Sequence, residues 1–470
     1  MSSSVSVVIL AAGLGTRMKS RKAKVLHRAG GATLLEHVIE AALGVAPASR
    51  ITAVVGYQAE QVQAAVSHYG IRFQVQSEQK GTGHALATCA QFPGHESGRI
   101  VVLYGDCPLL SRSTIERLIA KHAESRCAAT VITTLLDDPT GYGRVVHDLD
   151  GYVAAIVEEK AASEEQRSIR EINSGIYCFE ASLLWPHLAR LKPNPASGEV
   201  YLTDIVEELR GAGHFTAPLL CDNPGEVLGI NNRVELAEAD RIFRDRKARE
   251  LMVSGVTIEK PETVTIDRRV TVGADTVIGP FVQLLGRTEI GEGCSIGACS
   301  ILSDAVLEDG AEVLQFTSID QARLAKSVRV GPYARLRPGT VVEKGALIGN
   351  FVELKKTKLG PGAKAMHLAY LGDATIGADV NVGAGTITCN FDGHAKHETV
   401  IGNGAFIGSN STLVAPVEIE AGSYVGAGSV ITKHVPADSL AIARSHQVVK
   451  EGWAKHRREK YAKDDAGNQT

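Results

Sequence analysis

Aromatic residues are scarce, with 2 Trp, 10 Phe and 11 Tyr among 470 residues, or 5% of the chain. The interior must therefore be filled mainly by aliphatic side chains. No apolar run approaches the ~18 residues needed to cross a bilayer, and the apolar residues 5–12 lack a basic leader and run straight into Gly13. Neither a membrane span nor a secretory signal is expected, and a cytoplasmic location follows as the expectation. The eight cysteines include no CxxC pair, and no histidine stands at zinc-ligand spacing from them, which argues against a zinc ribbon or a disulfide framework. Reduced, mostly buried thiols are the expected state. An excess of one charge is absent too. Lys and Arg number 50 against 53 Asp and Glu, a formal net charge of -3. A protein held to nucleic acid by one broad basic surface is thereby disfavoured, and small-molecule partners are favoured.

Glycine, by contrast, is plentiful. Its 48 copies approach a tenth of the chain, against an ordinary ~7%, and residues 260–470 hold 26 of them in fewer than half the positions. Two unlike halves are implied. From Ser6 to about Asn231, β-rich runs such as Val7-Val8-Ile9-Leu10, residues 51–55 and residues 100–104 alternate with helical spacing, as over residues 33–43. That alternation predicts an α/β domain of Rossmann-like form with a largely parallel sheet. Residues 232–255 are charged and rich in helix formers, and predict a connecting helix at a domain boundary. The expected divisions are residues 1–231, the linker 232–255, a repeat domain over 256–450 and a basic tail over 451–470.

The repeat has a period of six. Ile266, Val272, Ile278, Leu284, Ile290, Ile296 and Leu302 are evenly spaced, and the pattern resumes at Val330, Leu336, Val342, Ile348 and Leu354, again at Ile376 and Val382, and finally from Ile401 to Ile431. Six fits neither a 3.6-residue helix nor ordinary hairpins. It fits an all-β parallel β-helix of hexapeptide repeats, in which each short strand sends one aliphatic inward. The breaks over residues 303–329 and 384–399 are expected to be irregular loops leaving the solenoid. Residues 450–463 carry six basic residues against two acidic ones and suggest a solvated arm. Residues 464–470 are expected to be disordered.

Two sets of residues carry chemistry that packing does not need. In the first, the strand Val7-Val8-Ile9-Leu10 leads through Ala11-Ala12-Gly13-Leu14-Gly15-Thr16-Arg17-Met18 toward Lys24. Glycines let backbone N–H groups approach phosphate oxygens, while Arg17 and Lys24 supply the charge that a triphosphate requires. The string resembles the sugar-1-phosphate nucleotidyltransferase family, and the family's further segments recur in order: Gln76 to Gln79, Gly81-Thr82-Gly83-His84-Ala85, Tyr104-Gly105-Asp106, Gly141-Tyr142-Gly143-Arg144, Val157-Glu158, Glu171-Ile172-Asn173 and Gly229-Ile230-Asn231. The resemblance implies that Asp106 and Asn231 bind Mg2+ and that Arg17 and Lys24 steady phosphates. It gives Gln76, Gly81 and Thr82 the pyrimidine, Gly143, Glu158 and Asn173 the sugar, and Leu10, Ala11, Ala12, Gly13, Tyr104 and Gly105 places in the nucleotide and sugar site. His84 is expected to be a structural hydrogen-bonding residue beside the base.

The second set lies between Arg335 and Phe391, where the hexads carry Arg335, Arg337, Asn350, Glu353, Lys355, Lys356, His367, Tyr370, Asn381 and Asn390. This stretch resembles the acetyltransferase domain of the bifunctional N-acetylglucosamine-1-phosphate uridyltransferase/glucosamine-1-phosphate acetyltransferase family, and with the first set the resemblance spans residues 5–455. It implies a left-handed solenoid, acetyl-CoA and UTP as co-substrates, and a homotrimer formed through the β-helix. His367 would be the general base toward the 2-amino group of glucosamine 1-phosphate, with Glu353 orienting its ring. Arg337 and Lys355 would bind the sugar phosphate and Tyr370 and Asn381 the sugar hydroxyls, while Ala384, Asn390, Phe391, Ser409, Ala427 and Arg444 would line the acetyl-CoA groove. Two rival readings are a single-function nucleotidyltransferase whose β-helix only regulates or oligomerises, and a solenoid serving as a platform for partner proteins.

Overall fold

The structure is a computed structural model and describes residues 4–92, 94–195 and 197–467. The chain forms two compact units. The first runs to Glu250 and includes Ile266–Arg269; the second comprises Leu251–Thr265 and the chain from Val270 onward.

In the first unit nine strands form one sheet: β1 (Val5–Ala11), β2 (Ile51–Val55), β3 (Arg72–Val75), β4 (Arg99–Tyr104), β5 (Ala129–Leu135), β6 (Arg144–His147), β7 (Val153–Val157), β8 (Glu171–Glu180) and β9 (Thr216–Leu220). Their order is β9-β5-β8-β4-β1-β2-β3, with β6 pairing to both β8 and β7. β1 lies parallel to β2 and β4, and β8 runs antiparallel between β4 and β5. From Val7 onward β1 reads as an unbroken apolar run because both its faces are covered. Val7 and Ile9 enter one core with the helix Leu34–Leu43, while Val8 and Leu10 enter the core on the other face. That helix begins with a capping box in which the Thr33 hydroxyl accepts from the Glu36 N–H and the Glu36 carboxylate accepts from the Thr33 N–H. Its start is fixed by sequence as well as by packing.

The charged stretch after Asn232 is the helix Arg233–Val253, as its composition predicts. All eight cysteines are free; six are buried, and Cys299 and Cys389 are partly so. No helix among the described residues is long and apolar enough to cross a membrane.

The second unit is a stack of short parallel strands. Val277–Ile278 pairs with Ser295–Ile296, 18 residues on, which in turn pairs with Glu312–Val313, 17 residues on. Three strands thus complete a coil, and each coil places three inward side chains above those of the coil before. The inward residues Ile278, Ile296, Val313, Val330, Ile348 and Ala365 are all buried. Each fully buried Val, Leu or Ile contributes about 1.5–3 kcal/mol, so the stack is held by many small, similar terms.

Residues 303–329 depart from expectation. They form regular coils, with strands Val306–Leu307, Glu312–Val313, Ser318–Asp320 and Arg323–Leu324. The hexad appears broken because Leu302 to Leu307 and Ile319 to Leu324 are steps of five, the lost residue being absorbed at a corner while the strands stay in register. The second break does contain a loop: after Ile387–Cys389 the chain leaves the stack and returns at Thr399–Ile401. The Asp392 carboxylate folds this loop by accepting from the N–H groups of His394 and Ala395 and from the His397 ring. The basic tail forms the helix Trp453–Gly467, so residues 464–467 are helical where disorder was expected. Residues 468–470 lie outside the described residues.

Candidate functional site

In the first unit β1 ends at Ala11 and opens into the glycine loop. Gly15 has φ +62°, and a Cβ there would come within 2.6 Å of Lys24 Cβ. Glycine at this position lets the loop close against Lys24. Gly81, at φ +94°, similarly lies against the backbone of Val200, where a Cβ would meet the carbonyl oxygen at 2.5 Å. Between these turns is a cavity of about 390 Å3 lined by Leu10, Ala11, Ala12, Gly13, Arg17, Lys24, Gln76, Gly81, Thr82, Tyr104, Asp106 and Asn231, among others. Twelve of the residues singled out from the sequence thus face one space at the carboxyl ends of the parallel strands.

At one end of the cavity the Lys24 ammonium pairs with Asp106 Oδ2 and donates to Asn231 Oδ1 at 2.8 Å, and Arg17 donates to the same amide oxygen at 2.7 Å. Gly229 lies directly against the Asp106 carboxylate. The donor set is oxygen only, which suits a hard divalent ion that keeps several waters, and the lysine ammonium already occupies the cationic position between Asp106 and Asn231. Among the described residues no group of three or more His, Cys, Asp or Glu converges as a metal cage. Gln76, almost fully buried, donates from Nε2 to the Gly81 carbonyl at 3.1 Å and meets His84 Nδ1 at 3.0 Å. Both amide hydrogens are occupied, and Oε1 is left as an acceptor. His84 is thus the structural partner expected of it. Burial raises the Tyr104 hydroxyl pKa well above its ordinary value.

Gly143, Glu158 and Asn173 do not line that cavity. They converge on one another: a Cβ on Gly143 would lie 3.7 Å from Glu158 Oε1 and 3.8 Å from Asn173 Cβ. Gly175, two residues beyond Asn173, packs against the Tyr104 ring, which does line the cavity. Gly105 packs against Ala11, Leu35 and Val25 and serves the β4 turn. Sequence reasoning missed Glu199 and Tyr201, which also line the cavity, and gave no role to Gln79, which does so too. Gln79 donates to the Ala12 carbonyl at 3.0 Å.

In the second unit His367 occupies an edge of the solenoid. Asn350, His367, Ala384, Ser409 and Ala427 each immediately precede a left-handed corner residue: Phe351, Leu368, Gly385, Asn410 and Gly428. Each of the last four corners donates its N–H to the carbonyl one coil back, so the preceding residues form one column; Arg444 extends it by donating to the Ala427 carbonyl at 2.8 Å. His367 Nδ1 lies 2.8 Å from Asn350 Oδ1. That contact fixes Nδ1 as the protonated nitrogen and leaves the Nε2 lone pair outward.

Against expectation, Glu353 pairs with arginines and Asn350 holds the His367 ring. The Glu353 carboxylate faces Arg337 at 3.0 Å and Arg335 at 4.0 Å, and the residue stacked beneath His367 is Asn350. Glu353 is stacked instead beneath Tyr370. Along the edge following the strands of Glu353 and Tyr370 lie Arg337, Lys355 and Asn390, the last donating to Asp373. Lys396, overlooked in the sequence, returns on the 390–398 loop to Lys355, and its ammonium holds the Lys355 pKa below the ordinary lysine value. Two neighbouring ammoniums and a guanidinium gather here, with Glu353 on Arg337 and Asp373 near Lys355 as their counter-charges. Asn381 is on a different face, between Lys364 and Phe406. Phe391 is exposed and pairs with Lys396. The chain therefore presents the second set on two edges and two faces.

A glycine loop at the carboxyl end of a parallel strand, joined in one chain to a hexad solenoid carrying a tethered histidine, fits a nucleotidyltransferase fused to a hexapeptide acyltransferase. Residues 7–194 match the MobA-like NTP transferase domain, and residues 269–304 and 398–433 match the bacterial transferase hexapeptide repeat. The chain is 56% identical over 454 residues to the bifunctional protein GlmU of Solibacter usitatus, covering 97% of each. It is 48% identical to that of Koribacter versatilis, covering 96% of this chain and 97% of the relative, and 47% identical to that of Trichlorobacter lovleyi, covering 97% and 99%. The chain belongs to the GlmU family. It is a bifunctional uridyltransferase and acetyltransferase of UDP-N-acetylglucosamine synthesis, with an N-terminal nucleotidyltransferase fold and a left-handed β-helix.

Proposed function

We propose that the cavity of the first unit performs uridylyl transfer and the edges of the solenoid perform acetyl transfer, through the following residues. Glucosamine 1-phosphate is held by Arg337, Lys355 and Lys396 at its phosphate and by Tyr370 and Asn381 at its hydroxyls. Nε2 of His367 takes a proton from the 2-amino group as the nitrogen attacks the acetyl thioester; the C–N bond forms, the C–S bond breaks, and the imidazolium returns the proton to the sulfur, so that coenzyme A leaves as the thiol. Acetyl-CoA lies along Ala384, Ser409, Ala427 and Arg444, with Asn390 and Phe391 closing the groove. The observation that supports this reading is the column Asn350–His367–Ala384–Ser409–Ala427, along which His367 and the residues proposed for the thioester groove share one edge.

The product then reacts in the first unit, where Gly143, Glu158 and Asn173 hold its sugar. Oε1 of Gln76 accepts the uracil N3–H, Gly81 and Thr82 flank the base, and Arg17 and Lys24 bind phosphates. Asp106 and Asn231 would hold Mg2+, which supplies charge neutralisation as the sugar phosphate oxygen displaces pyrophosphate from the α-phosphorus. Chelation with EDTA is expected to abolish pyrophosphate release, leave coenzyme A release intact, and be reversed by Mg2+. Loss of both activities would overturn the division of labour.

The distribution of the acetyl-site residues over two edges supports a homotrimer in which a neighbouring solenoid closes each site. Light scattering is expected to give three times the chain mass of 49.8 kDa, and a monomer that retains acetyl transfer would contradict it. Water-soluble phosphorylated substrates support a cytoplasmic location.

A further inference from the structure

Arg144 is among the largest fully buried side chains of the described residues, at 1% exposure. Enclosing a guanidinium costs several kcal/mol unless it is paired and hydrogen-bonded, so its partners are informative. Nη2 pairs with Glu159 Oε2 at 2.6 Å, and Nη1 donates to the carbonyl of Tyr142. The Gly141 N–H also points to Glu159 Oε2, at 3.4 Å. One buried charge therefore ties the Gly141–Tyr142–Gly143 turn to the segment that begins with Glu158. The backbone makes the same connection: Arg144 is paired with Val157 on one side and Ile172 on the other, and the Gly143 carbonyl accepts from Asn173 N–H at 2.9 Å. Arg144 stands outside the residues that line the cavity and is too buried to touch a substrate.

We propose that Arg144 and Glu159 form a clamp that sets the position of Gly143 over Glu158 and Asn173, making Arg144 a positioning residue for the sugar phosphate. This deepens, and rests on, the reading of those three residues as the sugar site. A turn carrying two glycines is intrinsically mobile, and Gly143 has no side chain with which to hold its own place. The guanidinium supplies that fixity from below through two directed bonds. Lysine could keep the charge at this position but lacks the planar fork that reaches both partners. The carboxylate end is accessible, since the Glu159 side chain is 30% exposed, so it can be neutralised without opening a cavity in the core.

The test is steady-state uridylyl transfer by the full-length Glu159→Gln and Arg144→Lys proteins, with acetyl transfer as the control for folding. Each variant is expected to raise KM for N-acetylglucosamine 1-phosphate about tenfold while KM for UTP stays within about twofold. The double variant is expected to be little worse than either single one, because both substitutions break the same link. If Arg144→Lys fails to fold, Glu159→Gln decides alone. Both KM values rising together, or no change in a folded Glu159→Gln protein, would overturn the clamp. Glu158→Gln separates the inference from its foundation. If that variant raises the sugar KM and Glu159→Gln does not, the clamp alone is wrong; if Glu158→Gln also leaves it unchanged, the sugar assignment falls and the clamp with it.

Discussion

Replacing His367 by alanine is expected to lower acetyl transfer by about 10²- to 10⁴-fold, the range contributed by a positioned general base, while pyrophosphate release from UTP stays within about twofold of the parent. The size of the effect follows from the tethered ring. Asn350 holds Nδ1 at 2.8 Å, so Nε2 is presented in a fixed direction before any substrate arrives. Alanine removes the proposed base and leaves the solenoid interior untouched, because His367 is exposed. Thiol release and pyrophosphate release, measured on the same preparation, give the two rates. A parallel fall in both, in folded protein, would refute two separate sites.

Asp106→Asn is expected to have the opposite selectivity. If Asp106 meets the triphosphate and metal ion as proposed, losing its carboxylate charge should cost uridylyl transfer about 10³-fold, equivalent to about 4 kcal/mol of transition-state stabilisation. Acetyl transfer should be unaffected. The substitution preserves shape, so the fall reports charge. It also leaves Lys24, only 13% exposed, without its ionic partner. Titrating Mn2+ in the presence of UTP, followed by electron paramagnetic resonance, gives a readout independent of turnover: the tightly bound ion of the parent should be lost. A variant that keeps half its uridylyl transfer and its bound ion would remove Asp106 from the site.

Much of the site was legible in the sequence because its residues sit at the ends of strands whose periodicity is plain. The glycine loop after β1, the Tyr104-Gly105-Asp106 turn and the Gln76–Thr82 segment all converge as their motifs imply. What escaped depends on registration between coils. In the coils before the 390–398 loop a contact joins residues 17 or 18 apart, so Asn350, 17 residues before His367, is its natural neighbour, and Glu353 belongs to Tyr370 by the same arithmetic. Counting in sixes hides this wherever a step of five intervenes, which is also why residues 303–329 looked irregular. Lys396 was missed for another reason: it reaches Lys355 from a loop whose path is set by the Asp392 turn. Strand period carries no information about that path.

The coexistence of 17- and 18-residue coils has a consequence for how such a chain can change length. A residue lost at a corner is absorbed locally, and every later aliphatic still faces inward, as happens between Leu302 and Leu307. A residue lost inside a two-residue strand would instead turn its single inward aliphatic toward water. Corners therefore act as expansion joints: the column that carries His367 can keep its bearing around the axis while the length of chain in each turn varies beneath it.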